Sequence, residues 1–305
     1  MDEALDFTEV RRAFDRAAAN YDAHAVLQRE VCDRLLGRLD FMNLQPARVL
    51  DVGAGTGYGF EHLRRRYAQA GLVAIDIAPA MLHAARRRLP QAGLLQRAVT
   101  RLVSGTAPLS HCVCADMAHL PFAASSMQLV WSSLALQWAD DLDATLRGFH
   151  RVLAPGGLLM FSTFGPDTLK ELRAAFAAVD DAPHVNRFVD LHDIGDMLIH
   201  AGFANPVMEM EMLTLTYADL RSLMGDLKGI GAHNAAAARR RGLLGKAAWM
   251  RLQQAYEAHR SDGRLPATFE VIYGHAWAGD KTRREDGRQV IQMQIGARRR
   301  RAGLA

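Results

Sequence analysis

The stretch VLDVGAGTGYG at residues 49–59 decides the fold of this chain. A short apolar run, typical of a buried strand, passes directly into a turn with glycine at every second position. Such glycines let the backbone turn tightly into a helix and approach a ligand without a side chain in the way. A dinucleotide-binding fingerprint needs its third glycine at position 58, where this chain has Tyr58. The stretch therefore predicts a ligand-binding turn, and it disfavours a nicotinamide dinucleotide as the ligand.

Strands and helices alternate on both sides of this turn. The strand candidates are residues 49–52, 72–76, 112–116, 127–133, 158–163, 206–216 and 268–277. The helix candidates are residues 22–39, 58–69, 79–89, 141–153, 167–179, 190–201, 217–228 and 243–260. Such alternation predicts an α/β fold with a doubly wound, mostly parallel seven-stranded Rossmann-like sheet. We expect the helices between the last two strands to form a lid insertion over the site.

The same pattern divides the chain into four segments. They are an N-terminal helical cap at 1–44, a ligand-binding core at 45–165, substrate-side helices with the last two strands and the lid insertion at 166–278, and a basic tail at 279–305. The tail has few core residues, and we expect it to be disordered.

Composition and charge predict a folded cytoplasmic protein. Half of the 305 residues are hydrophobic and 23% are charged, which excludes a disordered chain, and a net charge of +4 is too small to indicate nucleic-acid binding. No apolar stretch approaches the length of about 18 residues that crosses a membrane. The three cysteines cannot form an even disulfide framework, which favours a reducing compartment. Cys112 and Cys114 lack a second matching pair, so a metal site with His111 and His119 is disfavoured.

Candidate binding residues follow the ends of four predicted strands. Ligands of doubly wound sheets lie beyond the carboxyl ends of the strands, so these residues should converge on one crevice. Asp76 ends the second strand, where its carboxylate can accept both hydroxyls of a ribose. Asp116 offers a carboxylate to an adenine amino group, and Asp51 suits a cationic amino acid. The full set of candidates is Asp51, Gly53, Gly55, Gly57, Asp76, Ile77, Asp116, Met117 and Ser132.

These residues resemble a known family. The glycine turn, the acidic end of the second strand, the segment ADMAHLPF at 115–122 and the turn LAPGG at 153–157 are similar to class I S-adenosylmethionine-dependent methyltransferases. The resemblance covers about residues 45–165 and is specific to the class of cofactor. It implies that the cofactor is S-adenosyl-L-methionine.

Four further segments narrow the resemblance. Residues 14–22, 161–172, 184–188 and 226–233 are similar to the malonyl-acyl-carrier-protein O-methyltransferases of biotin synthesis, and this match extends to about residue 278. It implies methyl transfer to the free carboxylate of a malonyl thioester on acyl carrier protein. The ester hides a charge, so that the acyl chain can enter the apolar channels of fatty-acid synthesis.

This reaction needs a cation that orients the malonyl carboxylate. Arg187 is the first candidate, because a guanidinium matches a carboxylate in shape, and Lys228 is the second. Tyr21 is a candidate to close over the sulfonium of the cofactor. An acyl carrier protein is acidic, so we expect a basic docking face, for which Arg239, Arg240 and Arg241 in the insertion are the preferred candidates.

Two alternatives remain at this point. The stretch LPATF at 265–269 is similar to respiratory complex I assembly factors, which keep the same fold, so the chain could assemble or modify a protein. Another small-molecule methyltransferase would share the cofactor half and differ only in the substrate half. Turnover of a malonyl carrier protein separates both alternatives from the leading hypothesis.

Overall fold

The computed structural model describes residues 5–89, 110–232, 242 and 244–279. Two predicted segments lie outside the described residues: the docking candidates Arg239, Arg240 and Arg241, and residues 280–305 of the basic tail. Among the helices that are described, none is long and apolar enough to cross a membrane.

The described strands form one sheet. They are β1 Arg48–Val52, β2 Gly71–Asp76, β3 Ser110–Cys114, β4 Met127–Ser133, β5 Leu153–Phe164, β6 Phe203–Tyr217 and β7 Leu265–Ala278. Their order across the sheet is β3-β2-β1-β4-β5-β7-β6, and β7 runs antiparallel to both of its neighbours. The predicted doubly wound, mostly parallel sheet of seven strands is confirmed.

Helices cover both faces of this sheet. They are α1 Phe7–Ala17, α2 Tyr21–His24, α3 Val26–Arg38, α4 Tyr58–Arg66, α5 Pro79–Arg88, α6 Leu142–Val152, α7 Lys170–Ala177, α8 Leu191–His200, α9 Leu220–Gly229 and α10 Lys246–Glu257. Successive residues of β1 alternate between the two covered faces: Val49 belongs to the core layer of Leu35 on α3, and Leu50 to that of Leu146 on α6. Burial on both sides explains why β1 carries apolar residues, Val49, Leu50 and Val52, on both of its faces.

Several predicted boundaries differ from the structure. The predicted strand at 112–116 is β3 Ser110–Cys114 instead, so Asp116 lies two residues beyond its end. The predicted turn at 153–157 is an irregularity inside β5, because Met127 of β4 pairs with Leu153 and Leu129 pairs with Leu158. The predicted helix at 217–228 begins at Leu220 instead, since β6 continues to Tyr217. The predicted helix at 22–39 is interrupted at Ala25, whose backbone leaves the helical region at ψ 41°. This interruption makes α2 a separate short helix beside the candidate site.

Candidate active site

A cleft lies beyond the carboxyl ends of the parallel strands, as the topology requires. The predicted residues that line it are Tyr21, Gly53, Gly55, Asp76, Ile77, Asp116 and Met117. They come from α2, from the end of β2 and from the segments that follow β1, β2 and β3, so Tyr21 and Met117, 96 positions apart in the sequence, meet in one crevice. The structure thus brings most of the predicted binding residues together.

Asp76 is the most firmly held carboxylate in the cleft. The backbone amide of Gly55 donates to its Oδ2 at 2.9 Å, and that of Ala78 donates to its Oδ1 at 2.8 Å. Burial raises the pKa of Asp76 to about 6, although these two hydrogen bonds lower it. A carboxylate has about four acceptor sites, so the group can accept further hydrogen bonds from neighbouring hydroxyls beside those from the backbone.

The glycines of the turn have different roles. Gly55, at φ +54°, has open space where a Cβ would be, and it lines the cleft. Gly53 and Gly57 also have positive φ, but a Cβ on either would meet Ala135 at 2.2 Å or Ala85 at 2.7 Å. The structure therefore places Gly57 against helix α5 and leaves Gly55 as the glycine whose missing side chain opens space for a ligand.

A second compartment continues the cleft beneath α3. It contains Arg29 and Asp51, so a cation and a carboxyl group line one small space. Asp51 is buried, and its Oδ2 has no hydrogen-bond partner in the described part of the chain. Burial, and then the charge of Asp76, raises the pKa of Asp51 to about 8. Such a space fits the zwitterionic end of an amino acid.

The compartment includes residues that the sequence reasoning missed. Gln28 and Trp131 line it, and their buried Oε1 and Nε1 atoms have no hydrogen-bond partner among the described residues. No local motif marks them. The available signal was helical spacing. Gln28, Arg29 and Cys32 follow Ala25 by three, four and seven positions, and all four residues line the same space.

An apolar cavity of about 410 Å³ opens beside the cleft. Its lining is mostly apolar and includes Leu172 on α7, Leu227 on α9 and Phe269 on β7. The residues that line both spaces are Phe14, Tyr21, Leu134 and Trp138, and the rings of Phe14 and Trp138 meet edge to face at 5.3 Å. A group held in the cavity would therefore lie next to a group held in the cleft.

The three predicted catalytic residues lie at different places around this cavity. Tyr21 lines the cleft, the second compartment and the cavity. Burial raises the pKa of its hydroxyl, which therefore stays protonated. Lys228 on α9 lines the cavity. Both cations are exposed, but Arg187 is not part of the cavity lining, whereas its neighbours Asn186 and Phe188 are. Lys228 is thus brought to the cavity, and Arg187 lies beside its wall.

Ser132 takes a different place from the predicted one. It is fully buried, and its hydroxyl donates to the carbonyl of Val52 at 3.1 Å within the sheet. The next residue, Ser133, lines the cleft instead. Side chains alternate between the faces of a strand, so only one residue of the pair can face the ligand.

Comparisons with known proteins agree with this geometry. A family model described as a methyltransferase domain matches residues 50–161. The fold is similar to that of the YcgJ protein from Bacillus subtilis, with a TM-score of 0.54 and 16% identity, covering 81% of this chain and 99% of that one. The fold and the cleft define a class I methyltransferase whose cofactor is S-adenosyl-L-methionine.

Curated relatives narrow the assignment. The chain is 56% identical over 292 residues to the malonyl-(acyl-carrier protein) O-methyltransferase of Laribacter hongkongensis, which covers 94% of this chain and 96% of that protein. It is 54% identical over 291 residues to the protein of the same name from Gallionella capsiferriformans, covering 95% and 97%. The chain belongs to the malonyl-(acyl-carrier protein) O-methyltransferase family.

We predict that Asp76→Ala weakens the binding of S-adenosyl-L-methionine by about 1.5–3 kcal/mol, because hydrogen bonds to a charged acceptor are lost. Titration calorimetry on the purified protein measures this affinity. The exposed Asp193 of α8 provides a matched control, and Asp193→Ala should bind the cofactor as the unchanged protein does. An unchanged affinity in Asp76→Ala would remove Asp76 from the site.

We also predict that cofactor binding releases protons at about pH 7. A pKa of about 8 means that free Asp51 still holds its proton there, and a neighbouring ammonium group favours its ionised form. Calorimetry in buffers of different ionisation enthalpy counts the protons released. Asp51→Asn should release fewer protons than the unchanged protein, and equal counts would contradict the role of Asp51.

Proposed function

We propose that this chain transfers the methyl group of S-adenosyl-L-methionine to the free carboxylate of a malonyl group on acyl carrier protein. The observation that carries this proposal is the apolar cavity, which contains Lys228 and shares four wall residues with the cofactor cleft. Membership of the family named for this substrate supports it. The proposal includes the place in biotin synthesis that the sequence resemblance implies.

The residues of the cleft fit the parts of the cofactor. We assign Asp76 to the ribose hydroxyls, Asp116 and Met117 to the adenine, and the compartment of Arg29 and Asp51 to the amino-acid end. Open space at Gly55 and the unpartnered Oδ2 of Asp51 support this assignment. When bound, S-adenosyl-L-methionine supplies a reactive methyl group on a positively charged sulfur.

The chain needs no general base for this chemistry. A carboxylate with an ordinary pKa of about 4 is already ionised at pH 7, so no proton has to be removed from it. What the protein supplies is orientation of the carboxylate and partial removal of its water. The apolar walls of the cavity serve the second purpose, and Tyr21 lies where the cavity meets the cleft.

Lys228 and Arg187 are the candidates to orient the carboxylate. Lys228 is supported by its place in the cavity lining, whereas Arg187 is supported by the two neighbours that line the wall. A lysine binds a carboxylate as a compact point charge, and an arginine binds it with a planar fork. A contact to one carboxylate oxygen leaves the other oxygen available to accept the methyl group.

The proposed partner is an acidic carrier protein in a reducing compartment. The free thiols of Cys32, Cys112 and Cys114 support a cytoplasmic location. The basic face that would dock the carrier is proposed at Arg239, Arg240 and Arg241, on the segment between α9 and α10.

An assay with labelled S-adenosyl-L-methionine tests the proposed function. Purified protein should transfer label to malonyl carrier protein. Lys228→Ala and Arg187→Ala should each raise KM for this substrate by about tenfold or more, as expected for loss of a charged hydrogen bond. Arg221→Ala is the matched control, because Arg221 is an exposed cation on the same helix as Lys228. Cofactor binding without any turnover would favour the assembly-factor alternative.

Salt dependence tests the docking face. Changing Arg239, Arg240 and Arg241 together to Gln should raise KM for the carrier-bound substrate more at low than at high ionic strength, because salt screens exposed charges. Changing Arg65, Arg87 and Arg147, which are exposed on three other helices, removes the same charge as a control. An equal effect on a malonyl thioester without carrier protein would argue against docking at this face.

A further inference from the structure

The short helix α2 connects the two halves of the site. Tyr21 lines both the cofactor cleft and the substrate cavity. On the cofactor side, Asp22 holds the helix: the hydroxyl of Thr56 donates to its Oδ1 at 2.6 Å, and Arg88 donates to its Oδ2 at 2.5 Å. The glycine turn and α5 therefore fix α2 independently of the substrate side.

On the substrate side, His24 joins α2 to α9. Its Nδ1 lies 2.9 Å from the Oδ1 of Asp226, a residue 202 positions away in the sequence. Because an ionised carboxylate only accepts hydrogen bonds, Nδ1 carries the proton and donates it. Asp226 lies two residues before Lys228 on α9. It also accepts a hydrogen bond from the hydroxyl of Tyr217, at the end of β6.

A glycine allows the close approach of these helices. A Cβ on Gly229 would lie 2.4 Å from the Cγ and Cδ2 atoms of His24. The imidazole therefore lies directly against the backbone of α9, where any larger residue would displace it. The packing of His24 against Gly229 thus adds to its hydrogen bond with Asp226, and both contacts hold α2 against α9.

We propose that His24 and Asp226 form a positioning pair that sets Tyr21 on α2 relative to Lys228 on α9. The proposal rests on the function proposed above, in which Tyr21 lies at the cofactor and Lys228 binds the carboxylate that accepts the methyl group. A displacement of about 1 Å between reacting groups can cost about 100-fold in rate. The pair is 36% and 44% exposed, so it adds little to the free energy of unfolding. Its effect should therefore be on geometry.

The experiment is a double-mutant cycle of His24→Ala and Asp226→Ala, assayed with malonyl carrier protein. Each single change should lower kcat by about tenfold to 100-fold, and the double change should be no worse than either single one. Cofactor affinity by calorimetry should stay within about twofold, because Asp22 still holds α2 on that side. The thermal midpoint should fall by no more than a few degrees.

Two conservative variants of His24 separate positioning from packing. The amide nitrogen of asparagine takes the place of Nδ1, so His24→Asn should recover much of the lost kcat. The amide of glutamine takes the place of Nε2, so His24→Gln should not recover it. His192 on α8 gives a matched control, since its Nδ1 also lies 2.9 Å from an aspartate Oδ1, that of Asp190, but the pair joins no second element. His192→Ala should leave kcat unchanged.

Three results would overturn the inference: multiplicative losses in the double variant, an equal loss in His192→Ala, or a fall in cofactor affinity as large as the fall in kcat. An unchanged protein that is active, with His24 variants that are equally active, would refute the pair and leave the proposed function standing. An unchanged protein without methyl transfer to malonyl carrier protein would refute both.

Discussion

The hydrogen bond from the Gly55 amide to the Asp76 carboxylate is the interaction on which the site depends. It ties the turn after β1 to the end of β2 at 2.9 Å, and so fixes the two strand ends that form the floor of the cleft. The carboxylate is partly dehydrated, and its raised pKa of about 6 shows what burial costs it. The backbone amides of Gly55 and Ala78 offset that cost and leave lone pairs for a ligand. A turn with a side chain at Gly55 would occupy the space that these contacts prepare.

The two halves of the site differ in polarity. The cofactor half presents charged and polar groups at strand ends, including Asp51 with a pKa raised to about 8 by burial. The proposed substrate half is an apolar cavity, and the one lysine among the described residues of its lining is Lys228. This division suits a transfer in which the acceptor is already ionised, because orientation and dehydration are then the tasks left to the protein. Helix α2 stands between the halves and contacts both.

Much of the fold followed from pattern, and the failures have clear causes. Alternating strand and helix patterns predicted the sheet, and spacing predicted Asp76 at the end of β2. Asp116 was predicted at the end of β3, but it lies two residues beyond it because the ladder with β2 ends at Cys114. The turn at Gly156 resembled the end of a helix-to-strand connection, yet β5 begins at Leu153 because the ladder with β4 continues across the irregularity. Ser132 and Ser133 were indistinguishable in sequence, since the face that each side chain takes depends on the register with β1 and β5. Gly57 has the same local signature as Gly55, and only Ala85 on a distant helix separates their roles.

The sequence by itself determined the parallel sheet, the glycine turn, the carboxylates at the strand ends and the family resemblance, because these depend on local conformation and on the periodicity of burial. Tertiary structure alone decided which residues meet. It placed Gln28 and Arg29 beneath the turn, joined the cavity to the cleft at Phe14 and Trp138, and set His24 against Asp226. Contacts between residues far apart in the chain depend on how the helices pack on the sheet, and no local pattern records that packing.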